Sequence, residues 1–329
     1  MTYAEKDRLI EMHEPHWISV WIWLGFLAVV GAIWIVQVWA MTTGPGWLMV
    51  PLILILAHLY HCHLLAFHEA AHGSLCSNPR WNDRLGVFIG MFGFMVFSLF
   101  RAVHHSHHAY LATERDEELW PFVKTDKPRW FRRLAATLEL TLGLVYTPLL
   151  FLRAILRKGS IIQNRARRRR IWAEIALVAA VWSAIVAAMA WWSAWKLFLV
   201  MFVVPASLAG SIQSLRKYIE HMGLLGSTVL SSTRTVVSPG LVGRFLAFTL
   251  FHVPYHGVHH KFARLPHSVL SKFAAELTPS LSDEIYPFPT YRDALKDMVG
   301  SLGDPRVGAQ WLRHSRIDSV PLNGKATFG

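Results

Sequence analysis

The chain has 329 residues, 53% of them hydrophobic and only 16% charged, with 15 Trp, 19 Phe, a mean hydropathy of +0.32 and a net charge of +12. A soluble domain carries about 25% charged residues, so this composition excludes a disordered chain and argues against an ordinary soluble globule. Two cysteines, Cys62 and Cys76, exclude a disulfide-rich domain, a zinc-finger array and an iron–sulfur ferredoxin, and leave the 18 histidines as the outlier.

In chain order, Glu5, Asp7, Glu11 and Glu14 make the N-terminal segment unlike a cleavable signal peptide. No Lys, Arg, Asp or Glu occurs between Pro15 and Phe67. A membrane span needs about 20 apolar residues, so this stretch holds two helices, Trp17–Met41 and Trp47–Phe67, turned by Thr42-Thr43-Gly44-Pro45-Gly46. Leu85–Phe100 is short and Gly-rich, and Leu140–Leu152 is shorter, holds Pro148 and follows Glu139; both read as interfacial or re-entrant. Ile175–Trp195 and Leu197–Leu215 form a second hairpin, with Lys196 among Trp191, Trp192 and Trp195 at the far boundary. Arg165 and Arg167–Arg170 precede the third span and Arg216-Lys217 follow the fourth, which keeps these ends and both termini cytoplasmic. The Arg run reads as this topology anchor and not as a nucleic-acid site.

The expectation is an all-α integral membrane bundle of about four spans in two hairpins, a single domain over 1–329. It comprises a cytoplasmic N-terminus (1–16), a first hairpin (17–67), a cytoplasmic and interfacial part (68–170), a second hairpin (171–215), and a cytoplasmic remainder (216–329). The stretch after His260, with Pro266, Pro279, Pro287 and Pro289, reads as a cap over the site, loosely structured past Asp304.

The histidines fall into boxes. His68-Glu69-Ala70-Ala71-His72 places two imidazoles at i and i+4, about 40° apart and about 6 Å along a helix, where one metal ion reaches both. The same five residues match the His-Glu-x-x-His pattern of zinc proteases, a reading that leaves the other boxes unused. His104-His105-Ser106-His107-His108 and His256-Gly257-Val258-His259-His260 share the spacing His-x-x-His-His, again one helical face. His221 follows the fourth span at the level of the first box. The nine imidazoles exceed the need of one metal and suit two ions with four or five nitrogens each; iron, copper, zinc and nickel all accept imidazole. His105 and His252 are further candidates, and His61, seven residues before His68, is a candidate support inside the span. His13, His16, His267 and His314 read as ordinary surface residues, and His58 and His63 carry less weight than His61. Glu69 and Glu220 are candidates to orient ligand imidazoles.

From His68 to about Leu270 the sequence resembles the integral-membrane fatty acid desaturase and hydroxylase superfamily of non-haem di-iron enzymes. The resemblance implies two irons held by His68, His72, His104, His107, His108, His256, His259 and His260 at the cytoplasmic face, with His221 similar to an additional ligand of some desaturases. It also makes Thr113–Glu118 similar to the acidic segment that follows the second box. It implies O2 as co-substrate, a lipid or acyl-chain substrate, an external electron donor of ferredoxin or cytochrome b5 type, contact with membrane lipids, and a multi-pass place in a bacterial inner membrane or the endoplasmic reticulum. No His-Pro-Gly-Gly cytochrome b5 motif is present, and the third box lacks the Gln opening of front-end desaturases. The His-x-x-x-His first box is shared with carotenoid ketolases and hydroxylases, so hydroxylation or ketolation of an alkane, carotenoid or other lipid stands beside desaturation. A metal transporter or sensor is the distant alternative; transporter sites usually lie at the bilayer midplane.

Overall fold

The computed structural model describes residues 15–312, all helix and connecting loop apart from one bridge between Val236 and Phe288. The expected His13 and His314, and most of the N-terminal segment, lie outside the described residues. α1 (Ile18–Thr42) and α2 (Met49–His72) form the first hairpin across a 3-10 turn, Gly46–Leu48. α2 runs five residues past the expected end at Phe67, so the first box lies on the span itself. It stops where Gly73 takes the left-handed conformation (φ 76°), which costs glycine least.

The ambiguous stretch 85–100 divides between α3 (Pro79–Phe92), capped by the Asn78 side chain, and α4 (Phe97–Ala109), bent against each other by 102°. α5 (Arg129–Leu156) contains the second ambiguous stretch. α6 (Arg165–Trp191) and α7 (Trp195–His221, with a π turn at Leu199–Val203) form the second hairpin. α6 begins ten residues before the expected Ile175, because Arg propagates a helix well and Asn164 accepts from the Arg167 N–H; the Arg run is therefore the first turns of the helix. The cap comprises α8 (Val229–Ser232), α9 (Leu241–Thr249), α10 (His256–Lys261), a 3-10 stretch (His267–Leu277) and α11 (Tyr291–Val299).

By length and apolarity, five helices are able to cross a membrane: α1, α2, α5, α6 and α7. α5 differs from the others in shape. Phe131 in its first half and Arg153 in its second both touch the Trp120 ring, at 5.6 and 4.1 Å. A straight helix would set these two residues about 33 Å apart. Leu142 has non-helical angles (φ −123°, ψ 31°), and the helix bends sharply there. The α5 ends are tied to the cap and the acidic segment, through Arg132 to the Pro305 carbonyl and Arg153 to Glu117.

The spans carry large apolar side chains outward, such as Trp21, Ile35 and Trp191, the last 85% exposed, as a surface that meets hydrocarbon does. The C-terminal stretch is better anchored than expected up to Leu312. The Trp311 indole donates to the Phe122 carbonyl, Val307 N–H does the same, and both side chains are buried.

Candidate metal centre

Eight box histidines and His221 converge from α2, α4, α10 and α7 into two adjoining groups. His68, His72, His104, His108 and His259 offer nitrogens within 4.8 Å of one another; so do His107, His221 and His260. His256 joins the second group, its Nε2 lying 2.8 Å from that of His221 and 3.1 Å from that of His260. The stacked rings of His108 and His260, 4.1 Å apart, connect the groups. The two His-x-x-His-His boxes divide in the same way. In α4 the i,i+4 pair His104/His108 belongs to the first group and His107 reaches the second. In α10 the pair His256/His260 belongs to the second group and His259 reaches the first. Helix geometry accounts for this: i+4 lies about 40° to one side of i and i+3 about 60° to the other.

The spacing fits metal coordination. Two nitrogens each about 2.1 Å from one ion and at right angles to each other are about 3.0 Å apart. Nε2···Nε2 distances are 2.9 Å for His72–His104, 3.2 Å for His104–His108, and 2.8 and 3.1 Å in the second group. Several of these nitrogens are stripped of their proton by what the other ring nitrogen does. His104 Nδ1 lies 2.8 Å from the Glu118 carboxylate, His107 Nδ1 2.8 Å from that of Asp116, and His221 Nδ1 3.0 Å from the Ser232 carbonyl. A proton donated there leaves a lone pair at Nε2, and lone pairs facing one another at 3 Å call for a shared cation. Burial pushes His256, His259 and His260 well below the ordinary histidine range, so they are neutral, ligand-ready imidazoles at pH 7. Burial alone would raise Glu118, but the His104 and His107 rings and Lys217 hold it well below its usual range.

Asp116 and Glu118 are partners that spacing alone did not single out. Asp116 is fully buried; Oδ1 accepts from the Glu118 and Leu119 N–H groups and Oδ2 from Ala112 N–H and His107. The available signal was a block of carboxylates eight or more residues after the second box. The two carboxylates named from sequence each lie beside the Nδ1 of a box histidine and have further partners. Glu69 lies 3.7 Å from His68 Nδ1 and also accepts from the Ser74 hydroxyl at 2.9 Å and from the His267 backbone, tying the cap to α2. Glu220 pairs with Arg216 and lies 3.5 Å from His256 Nδ1. Asp116→Asn keeps the shape and removes the charge behind His107. Metal affinity is expected to fall about 10- to 100-fold, read by competitive chelator titration beside an exposed Asp126→Asn control.

The remaining histidines stay outside the centre. His105 is exposed and bonds the Ala71 carbonyl. His252 meets His267, which is buried rather than on the surface and also bonds Ser19. His61 bonds Gln213, and through it Arg216, which pairs with Glu220. His58 bonds Thr249, His63 is held by Trp23 and the Ile89 carbonyl, and His16 is exposed.

Two adjoining cavities lie on the side of His68. A narrow one of about 60 Å³ is lined by His68 and Glu118 at one end. Leu64, Gly93 and Leu144 line both it and a larger, almost wholly apolar cavity of about 230 Å³ among α1, α2, α3 and α7.

Residues 45–292, about three quarters of the chain, match the fatty acid desaturase family, and the chain belongs to it. No curated protein matches the chain. The family is one of lipid-modifying oxidoreductases of the membrane, in keeping with the apolar helices and the histidine clusters found here.

Proposed function

We propose that this chain is an oxygen-dependent di-iron desaturase of an acyl lipid. The observation that carries the reading is the five-plus-four division of nine histidines, beside a narrow cavity that adjoins a larger apolar one. His68, His72, His104, His108 and His259 would hold one iron, and His107, His221, His256 and His260 the other. When bound, the pair supplies oxygen activation strong enough to take hydrogen from an unreactive C–H bond. The chain's own residues do the rest: Asp116, Glu118 and the Ser232 carbonyl fix ring orientation, and the apolar helices exclude water and hold the hydrocarbon. Each buried methylene contributes about 0.8 kcal/mol, so a long chain needs few polar contacts to bind.

Desaturation removes one hydrogen from each of two neighbouring carbons. These, O2, two electrons and two protons give a double bond and two waters. The electrons come from an external carrier of ferredoxin or cytochrome b5 type. Arg167 and Arg170 line one surface depression with His105, next to the second box, so the positive end of α6 lies on the metal side. Positive residues near span ends stay in the cytoplasm, which supports a cytoplasmic centre in a bacterial inner membrane or the endoplasmic reticulum.

Mass spectrometry of lipids and carotenoids from cells expressing the protein, beside a His107→Ala control, tests the reading. Acyl chains lighter by two hydrogens, absent from the control, are the expected result. A gain of one oxygen instead assigns the same centre to hydroxylation, and metal content other than two irons per chain overturns the di-iron reading.

A further inference from the structure

The narrow cavity beside the metal centre differs in chemistry from the apolar one beyond it. Its wall includes Lys217 and Gln213, one turn apart on α7, and Glu139 from α5. Lys217 and Glu139 are more than nine-tenths buried. The Lys217 ammonium bonds the Glu139 carboxylate and, at 3.4 Å, the Glu118 carbonyl; Tyr218 donates to the other Glu139 oxygen at 2.9 Å. Charged groups at membrane depth are expensive, and a buried ion pair rarely repays its desolvation in stability. A pure hydrocarbon passage has no need of one.

Two donors in this wall are unspent. Lys217 has three N–H groups, and the contacts above use two. Gln213 spends its carbonyl oxygen on His61, at 3.0 Å, and on Arg216, at 3.4 Å; among the described residues its amide N–H group meets no acceptor. In the larger cavity the polar atoms are already paired. Both nitrogens of His63 are bonded, and the Tyr60 hydroxyl accepts from Trp34 and donates to the Met201 carbonyl.

Building on the lipid-oxidising reading, we infer that the substrate carries a hydrogen-bond-accepting oxygen within a few bonds of the reacting carbon, held by Lys217 and Gln213, with its hydrocarbon tail in the larger cavity. A hydroxyl, a carbonyl and a carboxylate all offer that acceptor. The reaction then falls near the polar end of the molecule rather than in the middle of a long chain. Lys217 and Gln213 are positioning residues, and Glu139 aims the ammonium.

Equilibrium binding of labelled dodecan-1-ol and n-dodecane to the purified, metal-loaded protein in detergent tests this without turnover. After correction for micelle partition, the alcohol is expected to bind about tenfold more tightly than the alkane. Lys217→Met removes most of that preference and leaves dodecane binding unchanged, and Lys217→Arg restores it. Gln213→Leu, which leaves the Lys217–Glu139 pair intact, reduces it and carries the test if the Lys217 variant loses metal. Equal binding of alcohol and alkane by the wild type, or variants that weaken both probes alike, overturns the inference. An intact alcohol preference without any change in cell lipids would count against the oxidase reading alone.

Discussion

His221→Ala is expected to leave the purified protein with about one metal ion per chain in place of two, and to lower oxidation by more than about 100-fold. His221 is the hub of the second group: its Nε2 is 2.8 Å from that of His256, and its ring packs against His107 and His260 at 4.9 and 5.2 Å. Four candidate ligands become three there, and the α7 contribution to that group is gone. His72→Ala takes one ligand from a group of five, so it leaves four and is expected to retain more metal. Elemental analysis of both variants, with circular dichroism to show that each is folded, checks this asymmetry. Equal losses from the two variants would mean that the nine histidines do not divide as five and four.

The boxes were legible because ligand spacing along a helix is a local property. His68/His72, His104/His107/His108 and His256/His259/His260 share faces whatever surrounds them. The division between two groups was not legible, since it depends on how α4 and α10 are turned toward α2 and α7. His61 marks the boundary of the method. Its phase along α2 is that of His68, yet its ring meets Gln213 of α7 and reaches the centre only through Arg216 and Glu220. Asp116 was hidden for a similar reason. An acidic segment after the second box was visible, but only the Asx turn that points Oδ2 at His107 shows which carboxylate acts.

Hydropathy read the two hairpins well, because a charge-free run of 20 or more residues has few alternatives. It misjudged helix ends by five to ten residues at the metal side. There α2, α6 and α7 continue past their apolar stretches into charged turns, held by the cap on α2 and α7 and by Asp83 and Ser98 on α6. α5 shows the opposite hazard. Length and composition alone would count it as a straight span, while the Trp120 contacts show a helix sharply bent at Leu142, a shape that hydropathy does not read. Its bend places Glu139 against Lys217 and Tyr218, so the same irregularity forms the polar wall of the inner cavity.

Gly210→Ala and Gly31→Ala are expected to change stability in opposite directions. In an open helical position, alanine is favoured over glycine by about 1 kcal/mol, chiefly through backbone entropy. Gly31 on α1 is such a position, with nothing within 4 Å of a Cβ added there. At Gly210 the added Cβ would lie 2.4 Å from the Leu144 amide nitrogen and 2.8 Å from its Cα, and backbone cannot turn aside as a flexible side chain can. A Cβ added at Gly143 would likewise lie 2.3 Å from the Gly210 carbonyl oxygen, so α5 and α7 cross there with no room for a methyl group on either side. Relief requires α7 to move off α5. Overpacking of this kind costs about 1–3 kcal/mol, enough to reverse the sign of the helix-propensity gain. The displacement also loosens Lys217 from Glu139 and shifts His221, which ends the same helix. Thermal unfolding of the metal-loaded protein in detergent is therefore expected to rise slightly for Gly31→Ala and fall for Gly210→Ala, with metal lost first from the His221 group. Stabilisation by Gly210→Ala would show that the two helices stand further apart than their backbone contact requires.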